Sequence, residues 1–247
     1  MGDESNIINF LSKSITYPLL HNCAAVTFGL ESQNIVGYSA TTSVAGFNFY
    51  TPTFKKVASE AAANIQDITL GEGGTSWSDN IQVLDEGGST VATYYYVTKN
   101  DGFASNGWTE DGGTLADVPL AKGQSVIVET ASDGVSINFS GEVDTVGTEM
   151  SSVAGFNFVG NNTPAPMSIQ SIVLGEGGTS WSDNIQILDE GGSTIATYYY
   201  VTKSDGFASN GWTEDGGTLA DISLEPGQGI IVETASEGIS ISLPSAL

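Results

Sequence analysis

The sequence predicts an all-β protein of two tandem homologous antiparallel domains, each β-sandwich or barrel-like. Three observations carry that prediction: a long internal repeat, a hydrophobic alternation of period two, and glycine-rich turns at short intervals. Leu70 to Val118 aligns with Leu174 to Ile222 at a constant offset of 104. Those 49 positions differ at four: Val83/Ile187, Val91/Ile195, Asn100/Ser204 and Val118/Ile222. Upstream, Val44-Ala45-Gly46-Phe47-Asn48-Phe49 recurs as Val153-Ala154-Gly155-Phe156-Asn157-Phe158 at an offset of 109, so the first copy carries five extra residues within Tyr50 to Asn64. Each copy is long enough for one hydrophobic core. The predicted organisation is a leader over 1–30, a first repeat over 31–142 and a second over 143–247.

The leader differs in character from the two repeats. Ile15 to Gly29 is mostly apolar, follows Lys13 and ends in small residues, which is the pattern of a signal peptide. Asp3 and Glu4 replace the expected basic start, and Pro18, His21 and Asn22 interrupt the apolar run. Export signal and leader without a targeting role are therefore both kept as readings. Cys23 stands where a lipid-anchored cysteine could, but His21-Asn22 is a poor approach to such a site. No run reaches the ~18–20 apolar residues that a membrane helix needs.

Within each repeat the strands follow from alternation. Val91, Thr93, Tyr95 and Val97 share one face, and Ala92, Tyr94, Tyr96 and Thr98 the other, so one tyrosine at least must point away from the core. Val126 and Val128 alternate with Ile127 and Glu129. Val135, Ile137 and Phe139 alternate with Ser136 and Asn138. Asp85-Glu86-Gly87-Gly88-Ser89, between Ile81–Leu84 and Val91–Thr98, predicts a hairpin. Roughly seven short strands per copy are expected, with one helix candidate, Ser59–Asn64. The Val/Ile exchanges, including Val126/Ile230 and Val135/Ile239, read as inward-facing positions, because a buried one-methylene change typically costs only ~0.5–1.5 kcal/mol.

Composition removes whole classes of function. There are 29 acids, six lysines and no arginine, for a net charge of −23. Phosphate and nucleic-acid binding have almost no electrostatic basis. His21 and Cys23 are the only residues of their kinds, so beyond position 23 no imidazole or thiolate chemistry and no common zinc set can be assembled. The charge divides evenly, net −10 over 31–142 and −12 over 143–247, so the two bodies are expected to repel at low salt.

What remains are oxygens and rings. Acidic glycine loops (Asp101-Gly102, Asp111-Gly112 and their equivalents Asp205 and Asp215) offer carboxylates on turns, which is calcium chemistry of a weak kind. The competing reading is plain turn building. Trp77, Trp108, Trp181 and Trp212 sit in matched loop-like contexts beside Ser, Asn and Asp, and are the candidate sugar-binding rings. Packing at the end of the core is the alternative. The carboxylate pairs Asp85/Glu86 and Glu110/Asp111 read as solvated turn residues, not as glycosidase acids.

Asn34-Ile35-Val36-Gly37-Tyr38, Ala45-Gly46-Phe47-Asn48-Phe49, Asp79-Asn80-Ile81-Gln82, Trp108, Gly123-Gln124 with Ile127-Val128, and Gly141-Glu142-Val143 form a pattern over nearly all of 31–247. It resembles that of uncharacterised bacterial secreted proteins built from two such β modules behind a signal peptide. The resemblance implies export and tandem β architecture, and no activity or binding residue. The acidic leader and the ending Ser242-Leu243-Pro244 depart from the pattern. The expectation is a non-enzymatic secreted or cell-surface protein with an envelope-structural or adhesive role, with a carbohydrate-binding tandem module as the alternative. Placement is extracellular or at the cell surface, the periplasm being the other option. Glycans or other envelope proteins are the expected partners, nucleic acid is not, and no cofactor beyond weak calcium is expected.

Overall fold

A computed structural model describes residues 36–56, 63–85, 88–189 and 191–245. The leader, Cys23 and most of the helix candidate Ser59–Asn64 lie outside the described residues. The described residues are all-β and antiparallel, interrupted among them only by single 3₁₀ turns at 65–67, 99–101, 169–171 and 203–205. The first repeat contains β1 (Val36–Thr42), β2 (Gly46–Tyr50), β3 (Ile68–Leu70), β4 (Asn80–Leu84), β5 (Thr90–Val97), β6 (Gly107–Thr109), β7 (Val126–Thr130) and β8 (Ser136–Glu142). They pair as a three-stranded sheet, β1-β8-β3, and a five-stranded sheet, β2-β7-β4-β5-β6.

The second repeat contains β9 (Thr148–Ser151), β10 (Gly155–Gly160), β11 (Met167–Ser168), β12 (Val173–Leu174), β13 (Asn184–Leu188), β14 (Thr194–Val201), β15 (Gly211–Thr213), β16 (Ser223–Leu224), β17 (Gly229–Thr234) and β18 (Ser240–Leu243). Its sheets are β12-β18-β9 and β10-β17-β13-β14-β15, with β11 and β16 as a separate pair.

Alternation decides what is buried. In the first repeat Ile68, Leu70, Ile137 and Phe139 of the smaller sheet and Ile81, Tyr94, Tyr96, Val126 and Val128 of the larger share one core. This is a sandwich. The predicted hairpin closes β4 onto β5, with a bulge between Val83 and Leu84. Tyr94 and Tyr96 point inward and Tyr95 outward. Four of the five Val/Ile positions are buried or pack on a core, but Val91 and Ile195 are exposed. They lie on the outer face of β5 and β14, where either side chain is tolerated because neither has to fit a closed interior.

Trp108 and Trp212 are not loop residues. Each is central in a short edge strand, β6 or β15, and is 0% exposed. The Trp108 indole N–H donates to the Ile68 carbonyl at 2.6 Å and the Trp212 indole N–H to that of Ile172 at 2.8 Å. The Trp108 ring packs 5.3 Å from that of Tyr96. Gln66 locks the strand: its amide donates to the carbonyls of Trp108 and Ala116, and its oxygen accepts the Trp108 N–H. Satisfying a buried indole and an edge strand this way removes polar groups that are costly to leave unpaired.

Both repeats fall within one compact unit, and they meet in a reciprocal, pseudo-twofold manner. Tyr50 of β2 bridges to Gln228, and its equivalent Val159 bridges to Gln124, the equivalent of Gln228. Thr51 N–H donates to the Gly227 carbonyl at 2.8 Å and Ser125 N–H to the Phe158 carbonyl at 2.9 Å. Gly88, at the β4–β5 turn, lies against the rings of Phe156 and Phe158, and its equivalent Gly192 against Phe47.

Ile127 and Ile231 face away from both cores yet are 6% exposed. Each sits beside the outward phenylalanine of the meeting strand, Phe49 or Phe158. The expected repulsion of two acidic bodies does not keep them apart, because the meeting residues are largely glycine, aromatic and aliphatic. Lys122 pairs with Asp144 and donates to the Val146 and Gly147 carbonyls, tying down the chain between the repeats.

The symmetry breaks at Thr41 and Met150, which are equivalent. Met150, Leu243 and Thr148 cover Gly123, whereas the Tyr50 ring covers Gly227. On the Thr41 side a groove of about 330 Å³ remains, lined among others by Phe47, Phe49, Leu188, Ile195 and Pro226.

Candidate functional site: two aromatic–polar sheet faces

The outward face of each five-stranded sheet carries a row of side chains at one level. In the first repeat the register runs Phe47, Glu129, Asn80, Tyr95, Thr109 across β2, β7, β4, β5 and β6. The polar members are wired together. Asn80 Nδ2 donates to Glu129 Oε2 at 2.8 Å, and Gln82 Nε2 donates to the same oxygen at 3.0 Å and to Asn80 Oδ1 at 3.1 Å. Thr90 Oγ1 donates to Gln82 Oε1 at 3.0 Å. The second repeat reproduces this with Glu233, Asn184, Gln186 and Thr194.

Trp77 completes the face. The loop before β4 is cinched by Asp79, which is fully buried: its Oδ2 accepts the Thr75 N–H at 2.6 Å and its Oδ1 the Ala131 N–H at 2.8 Å. Trp77 N–H donates to the Tyr96 carbonyl. These anchors hold Trp77 at φ 63°, in the left-handed region, as Trp181 is at φ 64°. Trp77 and Trp181 are the only non-glycine residues with positive φ among the described residues.

A bulky residue there is strained by ~1–3 kcal/mol. The result is a ring 48% exposed, tilted against Tyr95 with centroids 6.3 Å apart. Its far edge lies over Gly112, where a Cβ would come within 2.8 Å of Trp77 Cη2. Trp181, Tyr199 and Gly216 repeat the arrangement.

The four tryptophans therefore separate into two kinds. Trp77 and Trp181 offer open rings, while Trp108 and Trp212 are covered on all sides and offer no face to a ligand. That corrects the expectation of four equivalent sugar-facing rings. The reason is that Trp108 and Trp212 hydrogen-bond as edge-strand residues and plug the sandwich, a role their Gly-Trp-Thr-Glu context does not reveal.

The candidate calcium ligands have local tasks. Asp101 Oδ2 accepts the Thr98 N–H, the Thr98 hydroxyl and the Ser76 hydroxyl, each at 2.7 Å, and Asp205 does the same with Thr202 and Ser180. Asp111 and Asp215 each accept the N–H two residues on, from Gly113 and Gly217 at 2.8 Å. Asp101 and Asp111 lie on the two loops that line a shallow cleft beside the Trp77 face, and Asp205 and Asp215 on the equivalent loops. Among the described residues no three His, Cys, Asp or Glu side chains converge as a metal site.

Hydrogen bonds from Thr98 and Ser76 hold the Asp101 carboxyl below its ordinary 3.8, and those from Ser180 and Thr202 do the same for Asp205. A depressed aspartate contributes stability that is present above its unfolded pKa and is lost as pH falls through the lower folded one. The loop of the wild type is therefore expected to weaken from about pH 4 downward. In Asp101→Asn, the hydrogen-exchange protection of the Thr98 amide, corrected for the intrinsic rate and followed from about pH 6 to about pH 2.5, is expected to lose that acid-side step. A wild-type profile flat across that range would show that the carboxylate carries no such load.

No family model, curated protein or solved structure matches the chain. Sequence reasoning did not single out Gln82 and Glu129 as site members, and it met Asn80 and Tyr95 only within the Asp79-Asn80 loop and the Tyr94–Tyr96 run, whose rings were candidates beside the tryptophans. Their signal was the alternation itself, since Asn80 and Gln82 bracket the buried Ile81, and Glu129 follows the buried Val128.

Proposed function

We propose that this is a non-enzymatic, exported adhesive protein that holds glycan chains on two equivalent aromatic–polar faces. Trp77 with Tyr95, and Trp181 with Tyr199, supply the stacking surfaces. Asn80, Gln82 and Glu129, with their equivalents, supply donors and acceptors for hydroxyls. One observation carries the reading: a large ring is held half-exposed at positive φ, at a cost in strain, where the core gains nothing from it. Backbone strain of this kind is retained where the surroundings over-determine it, and it clusters at sites of function.

Flat sheet faces without a deep pocket suit extended polymers more than small molecules. Two weak faces on one chain gain avidity when both engage the same polymer. Export is supported by the leader's composition and by the resemblance to secreted tandem modules.

The test is titration of the protein with a panel of soluble polysaccharides, alongside the double variant Trp77→Ala/Trp181→Ala. Affinity for the best polymer is expected to fall at least about tenfold, equivalent to about 1.4 kcal/mol, with the melting temperature lowered little. Undiminished binding by the double variant would overturn the assignment of these faces. Absence of binding to any polysaccharide would leave an envelope-structural role in its place.

A further inference from the structure

We infer that the two faces select glycans bearing free amino groups, glucosamine-type polymers in their deacetylated form, over N-acetylated and uronic-acid polymers. The inference rests on the proposed glycan-binding role and adds its charge preference. Three carboxylates are tied to the residues of each aromatic pair or to their immediate neighbours. Asp101 accepts the hydroxyl of Ser76, the residue before Trp77. Asp111 adjoins Gly112, over which the Trp77 ring lies. Glu129 is bonded to Asn80, which pairs with Tyr95. The second face has Asp205, Asp215 and Glu233 in the same places.

Cations are scarce around these faces. Lys55 and Lys122 lie against Glu142 and Asp144, away from the face. Lys99, beside Asp101 in the 3₁₀ turn, is the lysine of that loop, and Lys203 is the only lysine of the whole second repeat. No arginine exists to pair a uronate or sulfate.

An ammonium group above the indole face is attracted by the ring's quadrupole. It is also attracted by the carboxylates tied to the face, over a range set by the Debye length of about 8 Å at physiological salt. A uronate at the same position meets mostly like charge. An acetamide carries no charge to use, so acetylation removes the preference without blocking stacking. The carboxylates are acceptor-only when ionised, which suits –NH₃⁺ donors over ring carboxylates.

Glucosamine hexamer, N-acetylglucosamine hexamer, galacturonate hexamer and hexalysine are titrated at about 150 mM salt into the full chain, and into Trp77→Ala/Trp181→Ala. The double variant keeps every charge, so it separates a site from bulk attraction by an acidic protein. Glucosamine hexamer is expected to bind at least about tenfold tighter than the N-acetylated hexamer, to lose most of that affinity in the double variant, and to outbind hexalysine. Galacturonate is expected not to bind.

Equal binding of the acetylated and free hexamers, lost in the double variant, overturns the amine preference and leaves the glycan reading standing. Glucosamine binding that survives the double substitution reduces the effect to net charge and overturns it. Hexalysine binding as tightly, with the same tryptophan dependence, moves the site to cationic peptides. No hexamer binding at all overturns the amine preference, and the polysaccharide panel then decides the glycan reading. Melting curves of each variant confirm that the faces, not the fold, were changed.

Discussion

Trp108→Ala is expected to destabilise the first repeat by about 3–5 kcal/mol, the range for removing a large buried aromatic. The side chain is fully buried between the two sheets, so its loss leaves a cavity that β6, itself only three residues long, cannot close. The Ile68 carbonyl also loses its indole donor.

Urea denaturation followed by far-UV circular dichroism reads the effect. Trp108→Phe is the informative companion, since it restores most of the volume but not the N–H. The Ile68 carbonyl is then left unsatisfied, for about 1–3 kcal/mol. Trp212→Ala should resemble Trp108→Ala, because the indole–carbonyl bond, the tyrosine ring and the glutamine clamp all recur. Trp77→Ala, by contrast, should change stability little and glycan binding strongly. A Trp108→Ala midpoint within experimental error of wild type would mean that the indole does not hold the sandwich closed.

Gly160→Ala is expected to disrupt the junction between the repeats, by at least the ~1–3 kcal/mol typical of overpacking. Gly160 ends β10 where it touches both halves of the molecule. A Cβ there would overlap the Gln228 carbonyl and the Thr51 hydroxyl and come within 2.8 Å of Gly229 Cα. Two of those three atoms are backbone and cannot rotate away.

Calorimetry is expected to show a single cooperative transition for the wild type, and a broadened or split one for Gly160→Ala as coupling between repeats weakens. Gly238→Ala is the control. Gly238 has φ 78°, but its Cβ position is open, so it costs only conformational strain and keeps one transition. If Gly160→Ala melts as one sharp transition at the wild-type temperature, the repeats do not stabilise one another through this contact.

Much of the fold was legible in single residues. The alternation through Val91–Thr98 required one tyrosine of three to face outward, and Tyr95 does. Val126, Val128, Val135, Ile137 and Phe139 are buried as their period of two demands. β4 and β5 pair antiparallel on either side of the Gly-rich segment, as a hairpin requires. Val91/Ile195 misled, because a Val/Ile exchange is as neutral on an open strand face as in a forgiving core.

The candidate site was legible only in part. Trp77 and Trp181 come directly after serines, and their exposure depends on a buried aspartate two residues later whose partners, Thr75 and Ala131, come from two segments of the chain. Asn80, Gln82 and Glu129 become one hydrogen-bonded group only because β7 pairs with β4, a pairing between strands more than forty residues apart.

From its residues alone this chain had to be a doubled, strand-built, strongly acidic body without imidazole, thiolate or guanidinium chemistry past position 23, since composition, period and self-similarity are local properties. Only tertiary structure could divide four look-alike tryptophans into two core plugs and two surface rings, and could turn two like-charged repeats into a reciprocal pair. Both outcomes depend on which distant strands become neighbours, and on how closely glycine lets two backbones approach.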